Sequence, residues 1–548
     1  MRRTFSYYCI GGWVNTSVEM VLIGLDIGNT SLKALAFTPS GRIVARVSQP
    51  TQRIKTAEMH IHGMHLTGLL EPRLLLEVVQ DLLSQIQRRV GQAETPYEIR
   101  AVAVTGMGGP MVALDQNDNP VYPVIGLWPI DIHETALDGS DQTFYEVTGY
   151  HLHNSPFVTM VWLAQHDPAR FARVKGILPV VSYVTFALSG MKASDPSMAS
   201  GTGIWDQGCG KWARQIIQST PVRFDCFPVV SPAGTALGPP SQQFQESTGL
   251  PSDTLVAVGG HDYLCAAGAL GITKPGMVLN MLGTYEIFAT PHHSASVVQP
   301  SELDLIDDTH VYPHTRSLMF QVIGGGHLEW LRRLLTGGLD ESASMAQWIR
   351  ILDGAARMRD DDMVDLVFAP FLFGRFFPER CIHPHGALLG LSDRHGPEHV
   401  SRAMIDALSY VSMEALKTLT AVSGEEVTKI VVSGGGTQNR LWVQRKADFL
   451  QTALQVPDVM DTSALGAAIL AGLAVGVYSD WDQAAAALDI NWAEITPKDP
   501  IDPRYLDQFI RWDDVSPNAC AHTVDLSRRI AHEILVSNEA TRIPPTGA

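Results

Sequence analysis

The chain has 548 residues, of which 45% are hydrophobic and 18% charged, and its formal net charge is -17. That length favours two large domains over a single core. The acidic balance argues against nucleic acid or an anionic membrane as partner, so a polyanionic ligand would have to be held locally, by backbone N–H groups or a metal.

No apolar run is long enough to span a bilayer. The N-terminus opens with two arginines, but Gly11, Gly12, Asn15, Thr16 and Ser17 interrupt any apolar signal core. Residues 1–20 are therefore read as an extension, with Met20 as an alternative start. The cysteines Cys9, Cys209, Cys226, Cys265, Cys381 and Cys520 are scattered and form no C-x-x-C pair. Reduced thiols in a cytoplasmic protein are the expectation, not a disulfide framework or a zinc site.

The first element is Val21 to Phe37, VLIGLDIGNTSLKALAF. An apolar run, a Gly-Asn-Thr turn and a second apolar run predict a β-hairpin. Glu71 to Val90 carries Leu75, Val78, Leu82 and Ile86 at helical spacing. IRAVAVTG follows as a short buried strand ahead of Met107, Gly108 and Gly109. Strands alternating with helices indicate an α/β architecture. Residues 128–252 are less regular and read as a substrate-side insertion, with the loop His60, His62 and His65 taken as solvated.

LVAVGGHDYLCAAGALG then predicts a strand, a glycine turn and an Ala-rich helix. Gly276 to Thr290 repeats the pattern strand, Gly-Thr turn, strand. Two such hairpins, half a chain apart, suggest two lobes whose turns can each reach a phosphate. A helix over Arg402 to Thr420, the strand KIVVS, the turn GGGTQN and the helices LWVQRKADFLQTAL, SALGAAILAGLAVG and WDQAAAALDI complete the second lobe. Beyond Asn491 the chain is polar; Val524 to Val536 is predicted as a last helix and the tail as disordered. The expected division is 1–20 extension, 21–266 first lobe, 267–490 second lobe and 491–548 C-terminal extension.

Four motifs carry chemistry. In DIGNTSLK, Asp26 ends a buried strand, where a carboxylate is costly without a partner such as a metal ion. Gly28 permits a tight turn, and the N–H groups of Asn29, Thr30 and Ser31 can point at phosphate oxygens, with Lys33 adding charge. An ordinary turn explains the same residues. In MLGTYE, Gly283 and Thr284 can supply N–H groups from the other lobe, or simply turn the chain. In GGHD, Asp262 falls at a helix N-terminus, where it can take a proton from a substrate hydroxyl or merely cap the helix. His261 reads as a polar neighbour, not a metal ligand. In SGGGTQN, Gly435 and Gly436 clear space for a base or ribose and Asn439 can hydrogen-bond to it; a plain strand-to-helix turn is the alternative. Neither G-x-G-x-x-G nor a P-loop occurs.

In this order the motifs resemble the FGGY family of carbohydrate kinases, of the actin-like ATPase fold. The matching stretches are LDIGNTSLKALAF, AVAVTGMGGPMVALD, SDPSMAS, AVGGHDYLCAAGALG, LGTYEIF, FAPFLFGR with HGALLGL, and VVSGGGTQNRLWVQRKAD with DTSALGAAILAG. The resemblance implies two actin-like (ribonuclease H-like) α/β lobes closing on ATP, Mg²⁺ and a sugar or polyol. Asp262 matches the family's catalytic base and Asp26 its aspartate near Mg²⁺. Asn29, Thr30, Ser31 and Thr284 match phosphate-contacting positions, with Lys33 in place of a frequent arginine. Gly435 and Asn439 match nucleotide contacts, as does a glycine of VIGGGHLEW, taken as Gly325.

The departures lie on the sugar side. The family's W-x-D-x-R segment reads LWPIDIHE, which offers Asp131 but no arginine; G-Q-M-H-G reads TGMGGP; and a tryptophan segment near residue 60 reads AEMHIHGMHL. Met107, Gly108, Asp131, His261 and Asp262 form the expected acceptor set. The expected partner is a small sugar or polyol, with a homodimer allowed for. A non-catalytic sugar sensor on the same fold, or an actin- or chaperone-type ATPase, are the competing expectations.

Overall fold

The computed structural model describes residues 18–128, 137, 140–294, 303–374, 386–498 and 500–509. The N-terminal extension before residue 18, Asp131, the predicted helix Val524 to Val536 and the tail lie outside the described residues.

The first half contributes β1 (Glu19–Ile27), β2 (Ser31–Phe37), β3 (Ile43–Pro50), the small hairpin β4 (Ala57–Ile61) and β5 (Met64–Leu69), α1 (Pro72–Gly91) and β6 (Tyr97–Gly106). After a helical region come α2 (Pro196–Gly201), β7 (Ala236–Gly238), β8 (Leu255–His261) and α3 (Asp262–Ala269). The second half contributes β9 (Met277–Leu282), β10 (Tyr285–His292), β11 (Ile306–Thr309), β12 (Arg316–Ile323), α4 (Gly325–Leu335) and α5 (Pro397–Ser423). It closes with β13 (Lys429–Ser433), α6 (Arg440–Leu450), β14 (Leu454–Pro457), α7 (Thr462–Ala474) and β15 (Trp492–Ile495).

The first sheet runs β7-β8-β6-β1-β2-β3 and the second β11-β12-β10-β9-β13-β14-β15. In each, three antiparallel strands are followed by two more that lie parallel to the first. The shared order third-second-first-fourth-fifth makes the fold a duplicated α/β unit, the two-lobed actin-like architecture expected. The central strands β1 and β6 are buried on both faces, which explains why they read as continuous apolar runs instead of alternating ones. α1 begins on Pro72, where a missing N–H costs nothing. It buries Leu75, Val79, Leu82, Leu83 and Ile86 along one face.

α7 belongs to the second half by sequence but packs on β1, β6, β8 and α3 of the first. Its small residues allow this. A Cβ on Gly24 of β1 would stand 1.8 Å from the carbonyl oxygen of Ala464, and one on Gly466 would stand 2.1 Å from that of Cys265. Leu22, Phe37, Leu465, Leu279 and Val431 share one buried cluster, so the core runs through this crossing into both sheets. Among the described residues no helix is long and apolar enough to cross a membrane.

Three expectations need correction. Residues 128–252 are more regular than their composition suggested, with helices at Asp141–Thr148, Pro156–His166 and Val180–Ser189. The stretch around His60, His62 and His65 is a β-hairpin, not a loop; its turn, His62 and Gly63, has φ of 48° and 75°. The segment after Asn491 adds a strand, β15, beside β14, and Tyr505 and Phe509 are buried in the second core.

Replacing Gly466 with leucine forces side-chain atoms into backbone. We expect a loss of at least about 1–3 kcal/mol, read as a fall of several degrees in the thermal unfolding midpoint. A midpoint equal to that of the unmodified protein would show that the crossing is not tight.

Candidate active site

Three parallel strands, β1, β6 and β8, end side by side. Asp26 pairs in register with Thr105, Thr105 with Gly260, and Gly106 with His261. Asp26 and the Gly260–His261 segment are therefore two strand spacings apart, roughly 10 Å. Ligands of α/β sheets bind at such carboxyl ends. Gly259 and Gly260 lie inside β8 and do not form the expected turn. A Cβ on Gly259 would meet the Val104 carbonyl oxygen at 1.6 Å and one on Gly260 would meet Val311 at 2.7 Å, so both positions exclude a side chain. Thr105 donates its hydroxyl hydrogen bond to the Gly260 carbonyl at 2.8 Å.

Asp262 is the first residue of α3, and its Oδ1 accepts the Tyr263 N–H at 2.7 Å. The residue in the cap position is His261, whose side chain makes no cap bond, so Asp262 is not a helix cap. Its side chain remains 26% exposed. Burial raises its pKa; the His261 ring and the Tyr263 N–H oppose the rise. Asp26 is buried and its Oδ1 has no hydrogen-bond partner. Burial and then the charge of Asp262 push its pKa up to about 7, Lys33 opposing and Asp461 adding.

The bend after β1 is held from behind. Gly28 donates its N–H to Ser31 at 3.2 Å, and Thr51 donates its hydroxyl to the Gly28 carbonyl at 2.7 Å and its N–H to Thr30 at 3.0 Å. Asn29 and Thr30 are left exposed. Lys33 is ion-paired with Asp461 at 3.1 Å, and Arg46 reaches the same carboxylate at 3.1 Å. A second cation stands at the bend: Lys55 donates to Asn29 Oδ1 at 3.2 Å. Nothing in TQRIKT marked that lysine, which arrives through the turn after β3.

The second hairpin turns on Gly283, whose N–H is donated to Tyr285 at 2.9 Å. The start of α4 grips this turn. Gly325 donates to Gly283 at 3.0 Å, and Gly324 and Gly326 to Thr284 at 3.2 and 3.1 Å. A Cβ on Gly325 would stand 2.4 Å from the Gly283 carbonyl oxygen. From the other side Gly434, at φ +90°, and Gly436 press on Leu282; a Cβ on either would come within 2.6 Å of it. Gly435 instead faces open space. Asn439 caps α6 by accepting the Trp442 N–H at 3.1 Å, which leaves its NH₂ group and one lone pair of the oxygen for a ligand. Below the hairpin, the buried Lys446 is paired with Glu286, which also accepts from Asn280 at 2.9 Å.

The two bends are connected. Asp461, the partner of Lys33, precedes Thr462, whose hydroxyl meets that of Ser433 at 3.0 Å, one residue before Gly434. On the acceptor side, Gly108 leaves the gap that the His261 ring fills: a Cβ there would lie 2.1 Å from the ring. Met107 is tied to β1 by its N–H to the Ile27 carbonyl at 3.1 Å. Ser197 supports the segment before Asp262, accepting the His261 N–H at 2.9 Å and donating to Asp195 at 2.5 Å. Burial pushes Asp195 up to about 6 against these bonds. The SDPSMAS stretch thus props the GGHD segment, a role its sequence did not announce. His62 packs on Trp162 and His166, and His60 stacks on His65 at 4.0 Å.

Asp26 has the character of a cation ligand in one respect: a buried, unpartnered carboxylate oxygen. Among the described residues no three His, Cys, Asp or Glu side chains are grouped to hold a metal ion by themselves. A cation here would need further oxygens from a ligand and from water.

Comparison with known proteins gives a consistent result. The model of the FGGY family of carbohydrate kinases matches through its N-terminal domain at residues 21–271 and its C-terminal domain at 288–475. An autoinducer-2 kinase of Salmonella paratyphi B is 28% identical over 491 residues, covering 86% of this chain and 89% of the relative. The crystal structure of xylulose kinase from Rhodospirillum rubrum is 25% identical with a TM-score of 0.74, covering 91% of this chain and 99% of that one. The Plasmodium falciparum glycerol kinase with ADP, 17% identical, has a TM-score of 0.77 and coverages of 92% and 98%.

The state of Asp26 sets a pH dependence. Its folded pKa of about 7 lies above the ordinary 3.8, so its contribution to stability is full below pH 4 and is lost as the pH rises through 7. Asp26→Asn is therefore expected to stabilise the nucleotide- and magnesium-free protein at pH 8, by on the order of 4 kcal/mol at most. The gain should shrink between pH 8 and pH 5. Unfolding midpoints of both proteins across that range test it, and a gain that is pH-independent or negative at pH 8 would refute the assignment.

Proposed function

Since the chain belongs to the FGGY family of carbohydrate kinases, and is thus an ATP-dependent phosphotransferase with an alcohol acceptor, we propose that Asp262 is its general base. The observation that carries this is the position of Asp262 at the carboxyl end of β8: partly exposed, its pKa raised by burial, and electrostatically coupled to Asp26 two strands away. A base whose pKa is drawn upward is better matched to a proton it must accept during transfer.

In the reaction the acceptor hydroxyl oxygen forms a bond to the γ-phosphorus while the bond from that phosphorus to the β,γ-bridging oxygen breaks. The hydroxyl proton passes to Asp262, and ADP leaves with the electron pair. The bend of Asn29, Thr30 and Ser31 and the turn at Thr284 hold phosphate oxygens through backbone N–H groups, the Gly283 N–H being already bonded to Tyr285, with Lys33 and Lys55 supplying charge. Gly325, Gly435, Gly436 and Asn439 receive the nucleoside. Asp26 is the residue that would hold Mg²⁺, its buried oxygen being without a hydrogen-bond partner. When bound, that ion offsets the charge that builds on the phosphate oxygens. Closure of the lobes keeps water from competing as acceptor.

The acceptor is a small sugar or polyol, received beside Met107, Gly108 and His261. We place the reaction in the cytoplasm, where ATP is supplied. The first lobe is taken as 21–266 and the second as 267–490, with α7 as the element of the second that grips the first.

The test is ADP release with xylulose, glycerol and autoinducer-2 as acceptors, the compounds in the names of the relatives. With whichever is phosphorylated, Asp262→Asn should lose about 10²–10⁴-fold in kcat while binding ATP as before. Turnover within a few-fold of the unmodified enzyme would remove Asp262 from the role.

A further inference from the structure

The His261 ring stands between two carboxylates that come from different halves of the chain. Its Nε2 is 3.6 Å from Asp262 Oδ1 and its Nδ1 is 3.8 Å from Asp308 Oδ2. Nδ1 is buried and has no hydrogen-bond partner. The ring is confined by the floor at Gly108, by Tyr263 edge-on at 4.7 Å and by the Ser197 bond to its own backbone.

Asp308 is fixed just as firmly. It lies on β11, the edge strand of the second sheet, and is fully buried. Three hydroxyls of the first half donate to it: Tyr150 at 2.8 Å and Ser200 at 2.6 Å to Oδ1, and Tyr263 at 2.8 Å to Oδ2. An ionised carboxylate has about four acceptor sites. Oδ1 is filled, and the site left over is on Oδ2, the oxygen that faces the unpartnered Nδ1.

We propose that Asp308 is a positioning residue for phosphoryl transfer: it takes the Nδ1–H of His261 and so presents Nε2 as a hydrogen-bond acceptor to Asp262. Each separation exceeds hydrogen-bonding range by less than about 1 Å. The chemistry follows from the tautomer. When Asp262 has taken the acceptor's proton, its new O–H donates to Nε2, which holds the neutral acid in place until products leave. Fixing an imidazole tautomer through the nitrogen remote from the reacting group is a general way to orient it. The inference rests on the reading of Asp262 as base.

Two measurements test it. The first needs no acceptor: ¹⁵N-histidine NMR of the full chain, with the His261 signal assigned by its loss in His261→Asn. The expected result is the Nδ1–H tautomer, lost in Asp308→Asn. An Nε2–H tautomer in the unmodified protein overturns the proposal even if Asp308→Asn fails to fold, and so does an Nδ1–H tautomer that survives in that variant. The second uses the acceptor found active in the ADP-release assay. Asp308→Asn and His261→Asn should each lower kcat about 10- to 100-fold, leave the KM for ATP within two-fold, and together cost no more than the worse single change. Multiplicative losses, or a rise in the KM for ATP with kcat kept, overturn it. Full turnover by Asp262→Asn would instead defeat the base assignment, and the NMR result would stand apart from it.

Discussion

Everything at the cleft is arranged around the cost of keeping carboxylates away from water. Asp26 and Asp262 sit at the ends of strands in one sheet, each drawn toward its neutral form by burial, and Asp26 further by the charge of its neighbour. A carboxylate so placed is stabilised only by what the fold brings to it. Lys33 approaches Asp26 while bonded to Asp461, and the Tyr263 N–H in the first turn of α3 reaches Asp262. The site therefore holds unsatisfied negative charge that a cation-bearing substrate can satisfy. On the proposed assignment of the site, a chain of net charge -17 would receive a polyphosphate by local attraction, through bends of backbone N–H and a few lysines.

The second sheet repeats the topology of the first but uses it differently. Its corresponding turn bears no aspartate, and is enclosed by glycines of α4 and of the loop before α6. One copy supplies charge and the other supplies space. The buried Glu286–Lys446 pair under the second turn anchors it from within, where a charge without a partner would be far more costly than the pair itself.

Much of this was legible in the sequence, and the limits have physical causes. Both main hairpins were readable because an apolar run, a tight turn and a second apolar run form a local pattern. The small-residue helix α7 was readable as a helix, but not as the element that crosses to the other lobe, since its contacts with Gly24 and Cys265 join residues hundreds of positions apart. Gly259 and Gly260 read as a turn because what excludes a side chain there, Val104 and Val311, is distant in sequence. The β4–β5 hairpin was missed because His60, His62 and His65 hide its alternation. Lys55 and Asp308 lie in no motif, and Asp195 and Asp461 lie in matching stretches without a role of their own; each gains meaning only from a partner supplied by the tertiary fold. That Asp26 is a strand residue with an orphaned oxygen, and Asp262 a first-turn residue and not the cap its motif alone favoured, was not readable from the motifs.

The crossing of α7 over β1 and α3 has a mechanical consequence. Backbone there meets backbone with no room for a side chain between, so neither partner can slide or separate without losing close packing. Rotation about the contact is the motion that disturbs it least. Atoms near such an axle travel little, whereas those at the rim sweep an arc in proportion to their distance from it. The bend after β1 and the glycine loop against the second hairpin are both tied to the start of this helix, through Lys33–Asp461 and Ser433–Thr462. The residues that bind the helix to each half are thus the ones a change of angle displaces least, and the surfaces farthest from the crossing are displaced most.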